Sequence, residues 1–144
     1  MDAPPVPPIR LSIRTAAPSD VAWRYLTDPD HVATWFTAAS PLGKVGEPYV
    51  LDFGDGSVVH GSIVAVELGV RFAHRWAWLD GEPGQETLVE WSIAPLETGG
   101  CEIALVHGGW TEAGVDEAAR DDHEAYWSGY LDDLRDLLDE AAGS

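Results

Sequence analysis

The chain has 144 residues, 45% of them hydrophobic, and its formal net charge of −17 includes a single lysine, Lys44. This length can bury the core of one domain, and the charge excludes phosphate backbones and anionic lipid as favoured partners because it repels both, so we expect no nucleic acid and no membrane partner. No apolar run reaches the length of a membrane span, and the first eight residues lack the basic and apolar regions of a signal peptide. The lone Cys101 excludes an internal disulfide framework and is typical of a cytoplasmic protein.

The N-terminal part of the chain predicts a tail followed by a strand. Residues 1–8 are rich in proline and are expected to form a flexible tail, which leaves residues 9–144 as a single domain. Residues 9–15 alternate apolar and polar side chains, which is typical of a half-buried strand.

Two short helices are predicted next. Pro18 suits the first turn of a helix, and Asp28-Pro29 repeats the start signal, so the second helix should end near Trp35-Phe36. The acidic flank of this pair argues against a DNA-binding helix-turn-helix.

After Pro41 the apolar pattern changes to a period of two and predicts an antiparallel sheet. Gly54-Asp55-Gly56 is a hairpin signal, and other glycine-rich turns separate the later segments. The predicted strands cover residues 49–53, 57–68, 70–78, 87–94 and 101–108. One face of the third strand carries large side chains, namely Val70, Phe72, His74, Trp76 and Trp78. We expect a bulge near Gly61 because glycine weakens a strand interior.

The last segment predicts a long amphipathic helix that opens at Val115 or Asp116. Side chains spaced by three or four residues share one face of it: His123, Trp127, Tyr130, Leu131, Leu134 and Leu138. Asp139 is unfavourable near a helix C-terminus, so we expect the final turn to fray. Gly129 is costly inside a helix, which favours close packing or ligand approach there. A run of strands followed by a segregated helix predicts an α+β fold, with a curved antiparallel sheet around the helix.

Several stretches occur in the order found in one known superfamily. They are APSDVAW at 17–23, LTDP at 26–29, WF at 35–36, HG at 60–61, FAHRW at 72–76, LVHGGW at 105–110, and the pattern from His123 through Trp127 to Leu131 and Leu134. Together, over residues 9–140, they resemble the SRPBCC, or START-like, superfamily. The most similar branch is named after the activator of the ninety-kilodalton heat-shock chaperone's ATPase. Tyr126 stands where the family usually has glycine, and Trp91 is bulkier than the usual strand residue.

The resemblance implies a helix-grip fold, START-like or Bet v-like, with a cavity between sheet and helix. It further implies a small hydrophobic or amphipathic molecule as the partner in that cavity. Two other functions that the resemblance implies stay open: a co-chaperone or protein-interaction module with a chaperone or other protein partner, and a cyclase- or hydrolase-like enzyme using His74 or His107. We expect a monomer or homodimer and no cofactor.

Strand parity and helix spacing direct one aromatic and histidine set toward the space between sheet and helix. Aromatic rings offer stacking area and polar tips that orient a ligand. The candidate ligand-binding residues are Phe72, His74, Trp76, Trp91, His107, His123, Trp127 and Tyr130. The alternative is that these side chains simply fill the core. Bulky Tyr126 and Trp91 have the size to shrink the cavity.

Other chemistry has weaker support in the sequence. Neutral imidazoles at His74, His107 and His60 would suit a zinc ion, but no HExxH or paired-cysteine spacing accompanies them. His107-Gly-Gly-Trp110 is similar to an esterase oxyanion loop, yet no GxSxG elbow is present. Glu90 and Asp52 are possible acid–base partners for a histidine, but parity predicts that both are solvated. We therefore assign no catalytic and no metal-binding residue.

Overall fold

The computed structural model describes residues 5–42, 44–81 and 84–143. These residues form seven strands and three helices in the order β1 (Ile9–Thr15), α1 (Ser19–Thr27), α2 (Pro29–Trp35), β2 (Ala38–Ala39), β3 (Pro48–Asp52), β4 (Val58–Glu67), β5 (Arg71–Trp78), β6 (Thr87–Pro95), β7 (Cys101–Gly108) and α3 (Glu117–Ala142). One antiparallel sheet has the strand order β1-β7-β6-β5-β4-β3-β2. The predicted α+β helix-grip fold is confirmed.

The two short helices agree with the sequence prediction except at the start of α1. Pro18 is the extended residue before α1 (φ −71°, ψ 162°), so the prediction that it lies in the first turn is wrong. Asp28 occupies the corresponding position before α2, where Pro29 is the first helical residue and needs no amide hydrogen. Phe36 ends α2 as predicted.

The sheet contains the predicted β1, the five predicted strands after Pro41 and one further strand, β2, which pairs with β3 over two residues. The register between β4 and β5 shifts between Ile63 and Ala65, two residues beyond the glycine where we expected a bulge. Gly61 is needed for a close approach instead, because a Cβ there would lie 2.4 Å from the Arg75 carbonyl oxygen. The space it leaves lets the Tyr49 hydroxyl donate a hydrogen bond to that carbonyl.

Helix α3 covers the concave side of the sheet with its apolar face. Leu131, Leu134 and Leu138 are buried in the common core, as predicted. The Asp116 side chain accepts a hydrogen bond from the Ala119 amide and caps the first turn. In contrast, Val70 does not share the buried face of β5, since it lies before the strand and is exposed.

The C-terminal part of α3 makes a contact with the sheet that the sequence did not predict. The helix continues to Ala142, and Asp139 accepts hydrogen bonds from Thr15 Oγ1 (2.6 Å) and the Ala16 amide (3.0 Å). The carboxylate therefore ties the end of α3 to the end of β1. Gly129 has open space around it, because a Cβ would meet no atom within 4 Å, so the expectation of close packing at this glycine is wrong and ligand approach there stays a prediction.

Part of the predicted N-terminal tail contacts the domain. The Val6 amide donates to Thr111 Oγ1 at 2.7 Å, and Arg120 donates to the carbonyl oxygens of Pro7 and Pro8, each at 3.1 Å. Residues 1–4, together with 82–83 of the predicted loop after β5, lie outside the described residues.

Among the helices in the described ranges, none is both long and apolar enough to cross a membrane.

Candidate functional site

The interior between the sheet and α3 is packed with aromatic rings. Trp76 of β5 lies at its centre, with its ring centroid 5.2 Å from Trp127 of α3 and 5.3 Å from His107 of β7. Period-two alternation brings β5 and β7 side chains to this face, and helical spacing brings Trp127 from the opposite side. The predicted convergence of sheet and helix residues is therefore present.

Three tryptophan–histidine pairs hold this interior together. Trp91 Nε1 donates to His74 Nε2 (3.2 Å), Trp127 Nε1 donates to His107 Nδ1 (3.0 Å), and Trp78 Nε1 donates to His123 Nε2 (3.1 Å). An indole nitrogen can only donate, so each of these imidazole nitrogens accepts with its lone pair. The pairing fixes the tautomer of each histidine, with the proton on the other ring nitrogen.

The other nitrogen of each imidazole is also engaged. His74 Nδ1 lies 3.0 Å from the Tyr49 hydroxyl oxygen, which accepts because its own proton is donated to Arg75. His107 Nε2 lies 2.7 Å from Thr87 Oγ1, and His123 Nδ1 lies 2.7 Å from the Ala119 carbonyl oxygen. In this arrangement all three imidazoles are neutral and have no free nitrogen.

The electrostatics of the site agree with neutral imidazoles. Burial lowers the pKa of His74 to about 4. Burial, followed by the neighbouring His123 and His74, holds the pKa of His107 well below its usual value. Burial also lowers the pKa of His123, because desolvation disfavours the charged form of an imidazole.

Few side chains are available for the alternative functions of metal binding or acid–base chemistry. His60 is exposed in β4, whereas His74 and His107 are buried with both nitrogens engaged. Within residues 5–42, 44–81 and 84–143, no group of three or more His, Cys, Asp or Glu side chains could hold a metal ion. Glu90 and Asp52 are exposed, as their strand parity predicts.

Two cavities lie beside His123. We call the larger, of about 440 Å³, the tyrosine cavity; it is lined by Phe36, Phe53, Asp55, Ser57, Trp76, Trp78, Asp122, His123, Tyr126, Trp127 and Tyr130. The smaller, of about 270 Å³, is the threonine cavity; it is lined by Trp76, Trp78, Gly81, Gln85, Thr87, Trp110, Gly114, Val115, Asp116, Ala119 and His123. Trp76, Trp78 and His123 line both cavities.

The eight candidate ligand-binding residues divide into two groups of four. Trp76, His123, Trp127 and Tyr130 line the tyrosine cavity. The others, namely Phe72, His74, Trp91 and His107, are buried behind them and line neither cavity.

The two bulky residues expected to shrink the cavity have different positions. Trp91 is 3% exposed and fills the core between Phe72 and Trp127, while Tyr126 is 71% exposed at the edge of the tyrosine cavity. Trp91 therefore takes up interior volume, and Tyr126 leaves the cavity open.

Sequence reasoning missed several lining residues. Trp78 shares the parity of Trp76, and Phe53 shares that of Leu51, so alternation was a signal for both. Phe36 is different, because its ring reaches Phe53, Trp127 and Tyr130 (centroids 5.5, 5.2 and 4.8 Å away) only through the placement of α2 under α3. No local pattern predicts that contact.

The tyrosine cavity carries negative charge at its edge. Asp55 accepts a hydrogen bond from the Ser57 amide (2.9 Å), and this bond lowers the pKa of the Asp55 carboxyl, so it is ionised. Asp122 is the second lining carboxylate. Burial, and then nearby acidic groups, raise the pKa of the Tyr130 hydroxyl, which keeps it neutral. No lysine or arginine is among the described residues that line either cavity.

One polar atom of Trp76, a residue that lines both cavities, lacks a partner. Trp76 Nε1 is buried and makes no hydrogen bond, and it is the one buried side-chain nitrogen or oxygen of the described chain in that state. A buried donor without an acceptor is costly.

The overall structure is similar to several solved structures. The protein MLL2253 from Mesorhizobium loti superposes with a TM-score of 0.82 at 20% identity, covering 92% of this chain and 97% of that one. The Aha1 dimer from Colwellia psychrerythraea gives a TM-score of 0.75 at 21% identity, covering 92% and 96%. These two likenesses show the fold.

A third structure has higher identity but is longer. DynU16, described as a protein in the dynemicin biosynthetic locus, gives a TM-score of 0.80 at 26% identity over 91% of this chain. The chain spans less than half of DynU16, 46% of its length.

A comparison with curated proteins found no significant match. The family model described as "Activator of Hsp90 ATPase homolog 1-like protein" matches residues 16–139, which include both short helices, β2 to β7 and nearly all of α3. The chain therefore belongs to the Activator of Hsp90 ATPase homolog 1-like family, within the START-like helix-grip superfamily that its sequence motifs indicated.

Proposed function

We propose that this domain binds a small, mostly apolar, planar molecule in the tyrosine cavity. The observation that carries the proposal is the cavity itself, of about 440 Å³, in which seven of the eleven lining residues are Phe, Trp or Tyr. Small-molecule sites typically occupy about 300–1,000 Å³ and combine apolar walls with a few polar groups. The cavity has both properties.

The candidate residues have different parts in this proposal. Trp76, Trp127 and Tyr130 offer ring faces and edges to the ligand, with His123 between the two cavities. Phe72, His74, Trp91 and His107 act behind them, because their hydrogen bonds and packing fix the positions of the lining rings. A ligand site needs such support if its walls are to stay in place.

The two alternative functions have less support. A hydrolase- or cyclase-like role for His74 or His107 would require an imidazole lone pair that can take a proton, and in both residues this lone pair accepts a tryptophan N–H inside the protein. A co-chaperone role is supported by family membership. Homodimerisation and a cytoplasmic location stay predictions.

The proposal is tested by screening planar hydrophobic compounds for an increase in melting temperature and determining dissociation constants for the hits. Ser57→Trp should fill the tyrosine cavity, because Ser57 lines it, and should weaken binding at least tenfold. Ser92→Trp is the matched control, since Ser92 is exposed on β6 away from both cavities. Hits that bind both variants and the unmodified protein equally would overturn the proposal.

A further inference from the structure

We propose that the ligand of the tyrosine cavity is an uncharged, planar aromatic molecule with a carbonyl oxygen, and that the Trp76 indole N–H recognises this oxygen. This inference rests on the proposed function and adds the chemical class of the ligand. Its starting point is the buried Trp76 nitrogen, which has no hydrogen-bond partner although its ring lines both cavities.

Trp76 differs in this respect from five other tryptophans of the described chain. Three of them donate to histidines, as described above, and two donate to backbone carbonyl oxygens: Trp35 to Tyr25 (2.7 Å) and Trp110 to His107 (2.8 Å). The fold therefore supplies acceptors for indole groups throughout this core. The donor that it leaves unpaired is the one whose ring forms the wall of the cavities.

The neighbouring groups cannot satisfy this donor themselves. His107 and His123, whose rings lie 5.3 and 6.2 Å from the Trp76 ring, use their lone pairs for Trp127 and Trp78. Thr87 Oγ1 donates to the Trp76 carbonyl oxygen and accepts from His107. A ring face is only a weak acceptor for an N–H group. A carbonyl oxygen on the ligand would be a strong hydrogen-bond acceptor for the Trp76 N–H group.

The charges around the cavity disfavour an anionic ligand. Asp55 and Asp122 line the tyrosine cavity, and no described lining residue is basic. A carboxylate or sulfonate bound there would lose its hydration, gain no counter-charge and face two like charges. A carbonyl oxygen presents a lone pair to Trp76 without these costs.

Binding must move a side chain, because Trp76 Nε1 is buried while other atoms of its ring line the cavities. Trp78 lies 5.8 Å from Trp76, between centroids, and is only half-buried. The side chain that we expect to move is therefore that of Trp78, which lines the tyrosine cavity beside Trp76. The Trp78–His123 hydrogen bond reports this movement, since it joins the displaced ring to α3.

A matched set of three probes tests the proposal: 9-fluorenone, fluorene, which lacks the oxygen, and fluorene-9-carboxylate, which is anionic. Affinities are measured by calorimetry, and the indole N–H signals of ¹⁵N-labelled protein are followed by NMR. We expect fluorenone to bind about tenfold more tightly than fluorene, as one additional hydrogen bond to a buried donor would give. The carboxylate should bind more weakly than fluorene, and the Trp76 N–H signal should shift downfield with fluorenone alone.

Two variants complete the test. Trp76→Phe should reduce the fluorenone preference, which is the dissociation constant of fluorene divided by that of fluorenone, to about one. Trp35→Phe, which removes a buried indole N–H that already has a partner outside the cavity, should leave the preference at about ten. If Trp76→Phe does not fold, the NMR signal of the unmodified protein decides the question.

The experiment distinguishes a failure of this inference from a failure of the proposed function. Equal affinity for fluorenone and fluorene, or an unshifted Trp76 signal, overturns the role of Trp76 but leaves the cavity as a ligand site. Tighter binding of the carboxylate overturns the charge argument. If none of the probes binds, both this inference and the proposed binding of planar apolar molecules are wrong.

Discussion

At the scale of single residues, the interior is organised by hydrogen bonds between aromatic side chains. Each of His74, His107 and His123 accepts from one tryptophan and donates to an oxygen, so all three are held neutral and in a defined orientation. Buried polar groups of this kind are expensive when unpaired and specify one arrangement when paired. This accounts for a core that contains three histidines yet has no imidazole available for chemistry.

The tautomers are directly measurable. We predict Nδ1–H for His74 and His123 and Nε2–H for His107, because the tryptophans donate to the opposite nitrogens. Long-range ¹H–¹⁵N NMR spectra should show the neutral forms of His74 and His107 unchanged from pH 7.5 to 5.5, since burial lowers both pKa values. A cationic signal from either residue at pH 5.5, or the reverse tautomer of any of the three, would contradict this hydrogen-bond network.

Tyr49 should be one of the more sensitive positions of the core. Tyr49→Phe removes the hydrogen bonds that the Tyr49 hydroxyl makes with buried His74 Nδ1–H and with the Arg75 carbonyl oxygen. Unpaired buried groups cost about 1–3 kcal/mol each, so we expect the free energy of unfolding in urea to fall by about 2 kcal/mol. Tyr126→Phe, at an exposed position, is the control and should change it by less than about 0.5 kcal/mol. A loss below 0.5 kcal/mol for Tyr49→Phe would show that this bond is unimportant.

At the scale of elements, the long helix is attached to the sheet by packing along its length and by a carboxylate at its end. Leu131, Leu134 and Leu138 bury the apolar face, and Asp139 accepts from Thr15 and Ala16 at the end of β1. The same carboxylate would be unfavourable in an isolated helix. Two hydrogen bonds to another element reverse that effect.

This attachment predicts a difference between two neighbouring substitutions. Asp139→Ala and Glu140→Ala both remove a negative charge from the last turns, but only Asp139 accepts hydrogen bonds from β1 and the residue after it. We expect Asp139→Ala to be less stable than Glu140→Ala by about 1–2 kcal/mol at pH 7 in urea unfolding. Equal stabilities would show that the attachment is unimportant.

The same difference should depend on pH. Hydrogen bonds from Thr15 and then Ala16 lower the pKa of the Asp139 carboxyl from its ordinary 3.8. The stabilisation is therefore complete above pH 3.8 and is lost as the pH falls through the lowered folded-state pKa. A stability difference between the two variants that stays constant down to pH 2 would contradict this assignment.

Most of the elements could be predicted because their signals are local. Alternation in β3 to β7 and the three- and four-residue spacing of α3 depend only on which face is buried. The two-residue β2, the role of Asp139 and the contact of Phe36 with Tyr130 could not be predicted, because each depends on a partner distant in sequence. The candidate site residues separated into cavity-lining and fully buried groups for the same reason. Parity selected the side chains that face the helix, but the depth of each, which places Trp91 in the core and Trp127 at the cavity, is a property of the assembled fold.

At the scale of the whole molecule, the net charge of −17 and the neutral histidine core have opposite effects on the stability of the folded state as the pH falls. Acidification reduces repulsion between carboxylates. It also favours the unfolded chain, where a histidine binds a proton near its ordinary pKa of 6.5, whereas folded His74 does so only at about 4. Between these values the unfolded state binds more protons, so the folded state loses stability as the pH decreases.

We predict that the histidine effect dominates. Buried His74 and His107 each contribute a loss of up to about 1.4 kcal/mol per pH unit below 6.5, and the lowered pKa of His123 adds to this loss. We expect the sum to outweigh the relief of screened surface repulsion. Urea unfolding at constant ionic strength should therefore show the free energy of unfolding decreasing steadily from pH 6.5 to 4.5. A flat or rising profile over this range would contradict neutral burial of the three imidazoles.

The central claim is that the space between β5 and α3 is a ligand site, and intermolecular NOEs to bound fluorene test it most directly. Fluorene has no polar group, so the result does not depend on the role of Trp76. The account predicts NOEs from fluorene protons to the rings of Phe36, Phe53 and Tyr130, which line the tyrosine cavity, and none to Phe72, which is buried behind it. NOEs confined to exposed side chains such as Val50 and Val64, or no NOEs at a saturating concentration, would contradict it.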